Sequence, residues 1–232
     1  MDLLDGLAST RAIRRYRPDP IPDADLAKML FAASRAPSGS NRQGFRFVVL
    51  RDGERAKRAR ALLAGGAQAV WRSKRVTDGY DAGSGASAHS PKARMARTME
   101  HFTEHFHEAP VIVLATMWCH REPSLELGGA VWPAVQNLLL SARALGYGGV
   151  ITGWHGPCEA ELRAVLAMPE DPKLQIVATI PLGVPIGHHG PVRRRPLGEV
   201  VYEDGWEQPA PWAADPPGTR FTSPGPPVPT RR

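Results

Sequence analysis

Residues 109–117 read APVIVLATM, apolar at all but one position, which predicts a strand buried on both faces. A second such run, KLQIVATIPLG at 173–183, predicts a partner strand, and FRFVVLR at 45–51 and GGVIT at 148–152 predict shorter ones. Helical spacing of apolar positions marks 23–36, with Asp23 as the expected N-cap, and also 53–74, 90–108 and 158–168. The 53–74 helix carries Gly65 and Gly66, where a break is expected. Residues 129–146 are apolar nearly all round and end at Gly146, so this helix is expected to be central or at an interface. GEVVYE at 198–203 suggests one further strand. Helices mixed with strands far apart in sequence give an α+β class, and no internal repeat is present.

Two stretches interrupt the periodicity. The Gly/Ser-rich segment 77–94 predicts a loop between two helical segments. Residues 207–232 hold eight of the 23 prolines, which predicts an extended or disordered tail after a body spanning 1–206.

Composition then narrows the classes. With 42% hydrophobic and 22% charged residues in 232, the body reads as an ordinary globular domain. No apolar run is long enough for a membrane span, and the acidic start MDLLDGLAST is unlike a signal peptide. The two cysteines, Cys119 and Cys158, have no CxxC spacing, so a cytoplasmic location is expected, with no membrane partner. Net charge is +6, and arginines crowd at 11, 14, 15 and 17 and again at 193–195, so an anion is expected nearby.

Candidate motifs were weighed one at a time. No G-x-G-x-x-G or Walker A sequence supports a Rossmann or P-loop site. HFTEH at 101–105 has the H-x-x-E-H order of a zinc helix but lacks a third ligand, so no metal is expected, and it reads equally as a polar face with Phe102 and Phe106 inward. The turn APSGSNRQ at 36–43 packs short polar side chains into a few residues, enough to hold a polar heterocycle. No Ser/His/Asp set or carboxylate pair is evident, so no catalytic acid or base is named.

Taken in order, RAIRRY, the P-I-P before a helix, APSGSNRQ, AVQNLLLSARALGYGGVITGW and RRRPLGEVV resemble the nitroreductase family of FMN-dependent oxidoreductases. The resemblance implies a central, mostly antiparallel sheet flanked by helices in an intertwined homodimer with FMN at the interface. The family's R-R-S-x-R pattern falls on Thr10, Arg11, Ala12 and Arg14, so threonine and alanine replace an arginine and a serine. Its P-S-G turn, given by the partner subunit, falls on Pro37, Ser38, Gly39 and Asn41, followed by Gly44-Phe45 where Pro-Trp is usual. Ile151, Thr152 and Gly153 would pass along the flavin ring, and Arg194 in the R-[RK]-P-L pattern would also contact FMN. The activity implied is ping-pong transfer from NADH or NADPH to a nitroaromatic, quinone or similar small acceptor. Acceptor choice is expected from 70–107, with Trp132, Trp154 and His155 as further candidates. Three readings stay open beside it: an FMN oxidase or dehydrogenase of a small-molecule pathway, a flavin-storage protein, and a nucleic-acid binder. Against the last stands the absence of a recognition-helix or aromatic-interleaved strand signature, so no nucleic-acid partner is expected.

Overall fold

The structure is a computed structural model that describes residues 1–187, 189–217 and 219, with only the backbone for 125–127. The proline-rich stretch beyond 219 lies outside the described residues, as do positions 188 and 218. The chain divides into two units, one of Ala12–His188 and one joining Met1–Arg11 to the stretch beginning at His189.

The larger unit is built on four strands, β1 (Phe45–Leu50), β2 (Val111–Trp118), β3 (Gly148–Gly149) and β4 (Leu174–Gly183), in the order β1-β2-β4-β3. Every pairing is antiparallel. β2 is buried from Val111 to Met117, as its unbroken apolar run requires. Its alternate side chains enter different cores. Val111, Val113, Ala115 and Met117 pack with helices α2 (Asp23–Ser34) and α5 (Leu125–Ala144). Ile112 and Leu114 pack with α3 (Glu54–Thr77), the end of α4 (Pro91–Glu104) and α6 (Glu159–Leu166). A bulge between Ala115 and Thr116 shifts the register against β4.

The long apolar helix is central: Val131, Ala134, Val135, Leu138 and Ala142 are buried, while Trp132 stays exposed. It closes at Gly146 with φ +88°, the left-handed conformation that suits glycine. Three local expectations change. Pro22, not Asp23, caps α2; Asp23 is its first residue, and its carboxylate pairs with Arg51 at 2.5 Å. The 90–108 helix ends at Glu104 and resumes as one 3₁₀ turn at Phe106–Glu108, with Phe102 and Phe106 buried. The third concerns α3, which runs through Gly65-Gly66 without a break. A Cβ on Gly66 would lie 2.3 Å from the Trp154 carbonyl oxygen, so that glycine is there for close approach and helix packing outweighs its low propensity.

In the smaller unit, Asp2 caps α1 (Leu3–Ser9), accepting from the Leu4 N–H at 2.9 Å. The Val192 N–H donates to the Ala8 carbonyl, and Arg11 Nη1 reaches the Gly190 carbonyl at 3.5 Å. GEVVYE is not a strand: Leu197–Glu199 is a 3₁₀ turn and Tyr202 makes one isolated bridge to Pro209. The Pro196 before it and the turn-rich sequence after it leave no run long enough to pair. No helix among the described residues is long and apolar enough to cross a membrane.

The two adjacent glycines of α3 should respond oppositely. Gly65 has nothing within 4 Å of a Cβ, so Gly65→Ala is expected to stabilise by about 0.5–1 kcal/mol through helix propensity. Gly66→Ala is expected to destabilise by about 1–3 kcal/mol through overlap with a backbone carbonyl. Urea midpoints of the two variants decide it; equal shifts would refute the close-approach role.

Candidate active site

The segment after β3 sets the first half of the site. Thr152 pairs with Thr179 of β4 through both main-chain bonds, 2.9 and 2.8 Å, and its hydroxyl donates to the same Thr179 carbonyl at 2.9 Å. Successive N–H groups of an extended chain point in opposite directions. With Thr152 turned toward β4, the N–H groups of Ile151 and Gly153 face away from the sheet at its edge. Ile151 and Gly153 are both exposed.

The segment carrying Arg14 is threaded against the same edge. The Ile13 N–H donates to Gly149, the Arg17 N–H to Val184, and Arg15 accepts from Ile186. Buried Ile13 anchors this run. Tyr16 donates its hydroxyl to the Ile13 carbonyl at 2.5 Å and lies 3.3 Å from that of Pro181. Burial pushes its phenol well above the usual range against the opposing pull of Arg14, so it stays neutral and committed to the backbone.

Arg14 and residues 150–154 line one cavity of about 380 Å³. Its far wall comes from the end of α3 and from α4: Val70, Trp71, Lys74, Tyr80, Met95, Met99 and Phe102. That wall is the segment expected to govern acceptor choice. Arg75 clasps it, reaching Asp81 at 2.9 Å and Glu100 at 2.8 Å, and so joins helix, loop and helix. Both carboxylates are exposed, Asp81 at 68% and Glu100 at 45%, so the clasp serves geometry more than stability. Tyr80 stands edge-on to Trp71 with ring centres 5.0 Å apart. The Trp71 Nε1 is buried with no hydrogen-bond partner among the described residues.

The second half lies elsewhere. Ser38, Gly39, Ser40, Arg42 and Gly44 line a cavity of about 550 Å³ with Met117, His120, Arg121, Gly129 and Ala130. The turn is tied internally: Ser38 Oγ accepts from the Gln43 N–H at 2.9 Å, and Gln43 Nε2 donates to Asn41 Oδ1 at 3.0 Å. Pro37 and Asn41 are exposed on the same turn. Met117 belongs to the α2–α5 core, whereas Val150, Trp154 and Phe102 belong to the α3–α6 side. The sheet therefore separates the two halves within one chain.

Of the expected site residues, Arg14, Ile151, Thr152 and Gly153 meet in one cavity, and Ser38 and Gly39 line the other. Thr10, Arg11 and Arg194 belong to the smaller unit, where Thr10 donates its hydroxyl to Gly6 and Arg194 donates to the Arg193 carbonyl. Ala12, exposed, begins the larger unit. Trp154 and His155 are core residues: Trp154 packs 4.7 Å from both Phe102 and Phe106, and His155 Nδ1 lies 3.3 Å from the buried Thr179 hydroxyl. The residues missed by sequence reasoning are Arg42, His120 and Arg121; the signal was a basic HR pair just past a strand end that pairs with the strand following Arg42. The His101 and His105 rings lie tilted at 47° to each other with centres 4.3 Å apart, and no group of three metal-ligating side chains occurs among the described residues.

Comparison with known proteins fits this architecture. The sequence model of the Nitroreductase family matches residues 7–184. The NADH dehydrogenase of Thermus thermophilus is 32% identical over 208 residues, which cover 87% of this chain and 95% of that protein. A protein from Desulfovibrio desulfuricans described as a nitroreductase, solved in complex with FMN, is 29% identical with a TM-score of 0.61 and covers 89% of this chain and 98% of its own. A variant of the FMN- and NADPH-dependent nitroreductase NfnB from Sphigopyxis shares the fold at a TM-score of 0.68 and 19% identity, over 89% of this chain and 100% of its own. The fold is α+β, and the chain belongs to the nitroreductase family, a family of oxidoreductases.

His155 supplies a pH test of the core beside the site. Burial holds its imidazole below the ordinary value, with Arg163 adding to the shift and Glu159 and a backbone bond at Ile176 opposing it. The unfolded chain therefore takes up this proton first, so stability is full above about pH 6.5 and falls as pH drops toward the folded value. Urea midpoints should hold above about pH 6.5 and decline as pH drops below it, and His155→Gln should flatten that decline. An undiminished decline in the variant would remove His155 as its source.

Proposed function

We propose that the chain is an FMN-dependent NAD(P)H oxidoreductase that acts as a homodimer, each of two equivalent sites drawing on both protomers. The observation that carries this reading is the division of the site residues between opposite faces of one sheet. The Arg14 cavity and the Ser38 turn cannot close on one ligand within a chain, but a two-fold pairing brings one chain's turn to the other's cavity.

The residues fit the cofactor. Arg14 supplies a permanently charged fork suited to a phosphate. The outward N–H groups of Ile151 and Gly153 suit the polar edge of a flavin ring, and nothing lies within 4 Å of where a Gly153 side chain would start. Met95, Met99 and Phe102 give the apolar wall on which a flat ring can lie. The unpartnered Trp71 donor beside that wall is a further group for a polar ligand to satisfy. Assignment of Thr10, Arg11 and Arg194 to the same cofactor rests on the resemblance to the family pattern.

When bound, FMN supplies two-electron transfer from NAD(P)H to a small acceptor such as a nitroaromatic or quinone, in alternating half-reactions. The chain's own part is binding, orientation and electrostatics. Arg14 neutralises the phosphate, the two amides stabilise negative charge at the ring edge, and the wall clasped by Arg75 limits access. No side chain is assigned proton transfer: Tyr16 is held neutral and His155 is buried against Thr179.

The purified protein should be yellow, with a flavin spectrum that bleaches on addition of NADPH or NADH under argon. A spectrum that stays oxidised would transfer the reading to an oxidase or a storage protein; a colourless chain that cannot be reconstituted would end it. Arg14→Ala should weaken FMN binding by at least about tenfold. Co-expression of an Arg14→Ala chain with a Ser38→Trp chain tests the shared site. Each homodimer should be flavin-poor, whereas the mixed dimer should hold one flavin per two chains. No recovery in the mixed dimer would place both contributions within one chain.

A further inference from the structure

We propose that the cavity under the 38–44 turn is a subsite for the anionic group of a substrate, a carboxylate or a phosphoryl group, read by Arg42 and His120. The inference rests on the reading above, in which this turn faces the cofactor of the other protomer.

Arg42, Arg121 and His120 line the cavity, and no carboxylate does. Most other arginines of the larger unit are engaged: Arg51 with Asp23, Arg75 with Asp81 and Glu100, Arg163 with Glu159, and Arg35 over the Phe31 ring. Among the described residues the Arg42 guanidinium has no hydrogen bond or ion pair, and neither has the His120 ring. The imidazole of His120 sits below its ordinary value, through loss of hydration first and then through Arg42 and Arg121, so the three groups sense one another. All three side chains are exposed, and the Arg42 guanidinium gives the cavity a permanent positive charge for an anion to meet.

The backbone is shaped to hold that arrangement. Ser40, Asn41 and Gln43 have φ of 51°, 51° and 50°, each a left-handed conformation that costs an L-residue about 1–2 kcal/mol. The turn's side-chain bonds bind Asn41 to Gln43, whereas Arg42 joins the turn through its main-chain N–H to Gly39 and not through its guanidinium. A Cβ on Gly44 would lie 2.6 Å from the Trp118 carbonyl oxygen, so only glycine lets this turn lie against the chain leading to His120. Ser38, whose oxygen accepts from Gln43, keeps its own hydrogen for a ligand. A guanidinium fork, an imidazole and a hydroxyl around one space form a donor set for carboxylate or phosphoryl oxygens. Either the acceptor or the diphosphate of NAD(P)H could bring such oxygens.

The test uses the flavin-loaded protein and matched acceptors, 4-nitrobenzoate and the neutral 4-nitrobenzyl alcohol. Arg42→Gln should raise the KM for 4-nitrobenzoate by at least about tenfold and leave that for the alcohol within about twofold, with Arg42→Lys and His120→Gln intermediate. If the KM for NADH and NADPH rises instead and the acceptor pair stays unsplit, the subsite stands with the donor's diphosphate as its ligand. If neither KM moves while flavin content and bleaching are unchanged, the subsite is overturned and the FMN reading survives. A protein that takes up no FMN overturns that reading separately. Thermal shifts with inorganic pyrophosphate then decide the subsite: a shift lost in Arg42→Gln supports it, and an equal shift in both proteins removes it.

Discussion

The pairing of β2 with β4 through the middle of the sheet constrains everything else in the larger unit. Both strands are apolar on two faces, so each face must be covered, and the chain covers one with α2 and α5 and the other with α3, α4 and α6. Polar chemistry can then sit only where strands end or the sheet has an edge. β1 starts beside the end of β2, at Gly44 and Trp118, and there the Ser38 turn and His120 meet. β4 has a short partner, β3, whose continuation through Thr152 leaves main-chain donors facing outward beside Arg14. A core buried on both sides thus produces two open half-sites on one chain.

Electrostatics follow from the same layout. On helix surfaces some arginines have acids beside them and cancel locally, as Arg75 and Arg163 do. Those at the strand ends border concave, acid-free space. The net charge of +6 is therefore less informative than where arginines meet open space: Arg14 lines one cavity and Arg42 the other. A two-fold arrangement would place both around one ligand, and an anion at each end of that ligand is what the charges call for.

Much of this was legible in the sequence. The unbroken run 109–117 predicts a buried strand and the helix ending at Gly146 is expected to be central or at an interface, and both are found in the core. Local motifs single out Arg14, Ser38 and 151–153, and the structure brings Arg14 and 151–153 to one cavity and Ser38 to another. What could not be read depends on contacts between distant segments. Gly66 looks like a helix breaker until the Trp154 carbonyl is seen against it. Trp154 and His155 follow the 151–153 motif, yet Trp154 is buried in a ring cluster while still lining the Arg14 cavity, and His155 is buried against Thr179. His120 and Arg121 belong to no motif at all; the β1–β2 register brings them to Arg42, and register is a property of two strands together.

The strained turn links the two levels. Three non-glycine residues with positive φ in four positions are unfavourable taken alone, and local propensity would select glycine there. Their retention of side chains means those side chains have uses that outweigh the cost. Asn41 and Gln43 spend theirs on each other, which fixes the turn. Ser38 spends its oxygen on the Gln43 N–H, which fixes it again. A turn held twice from within is rigid before any ligand arrives, so its remaining donors are presented without further ordering, and that preorganisation is what a binding surface on a partner's cofactor requires.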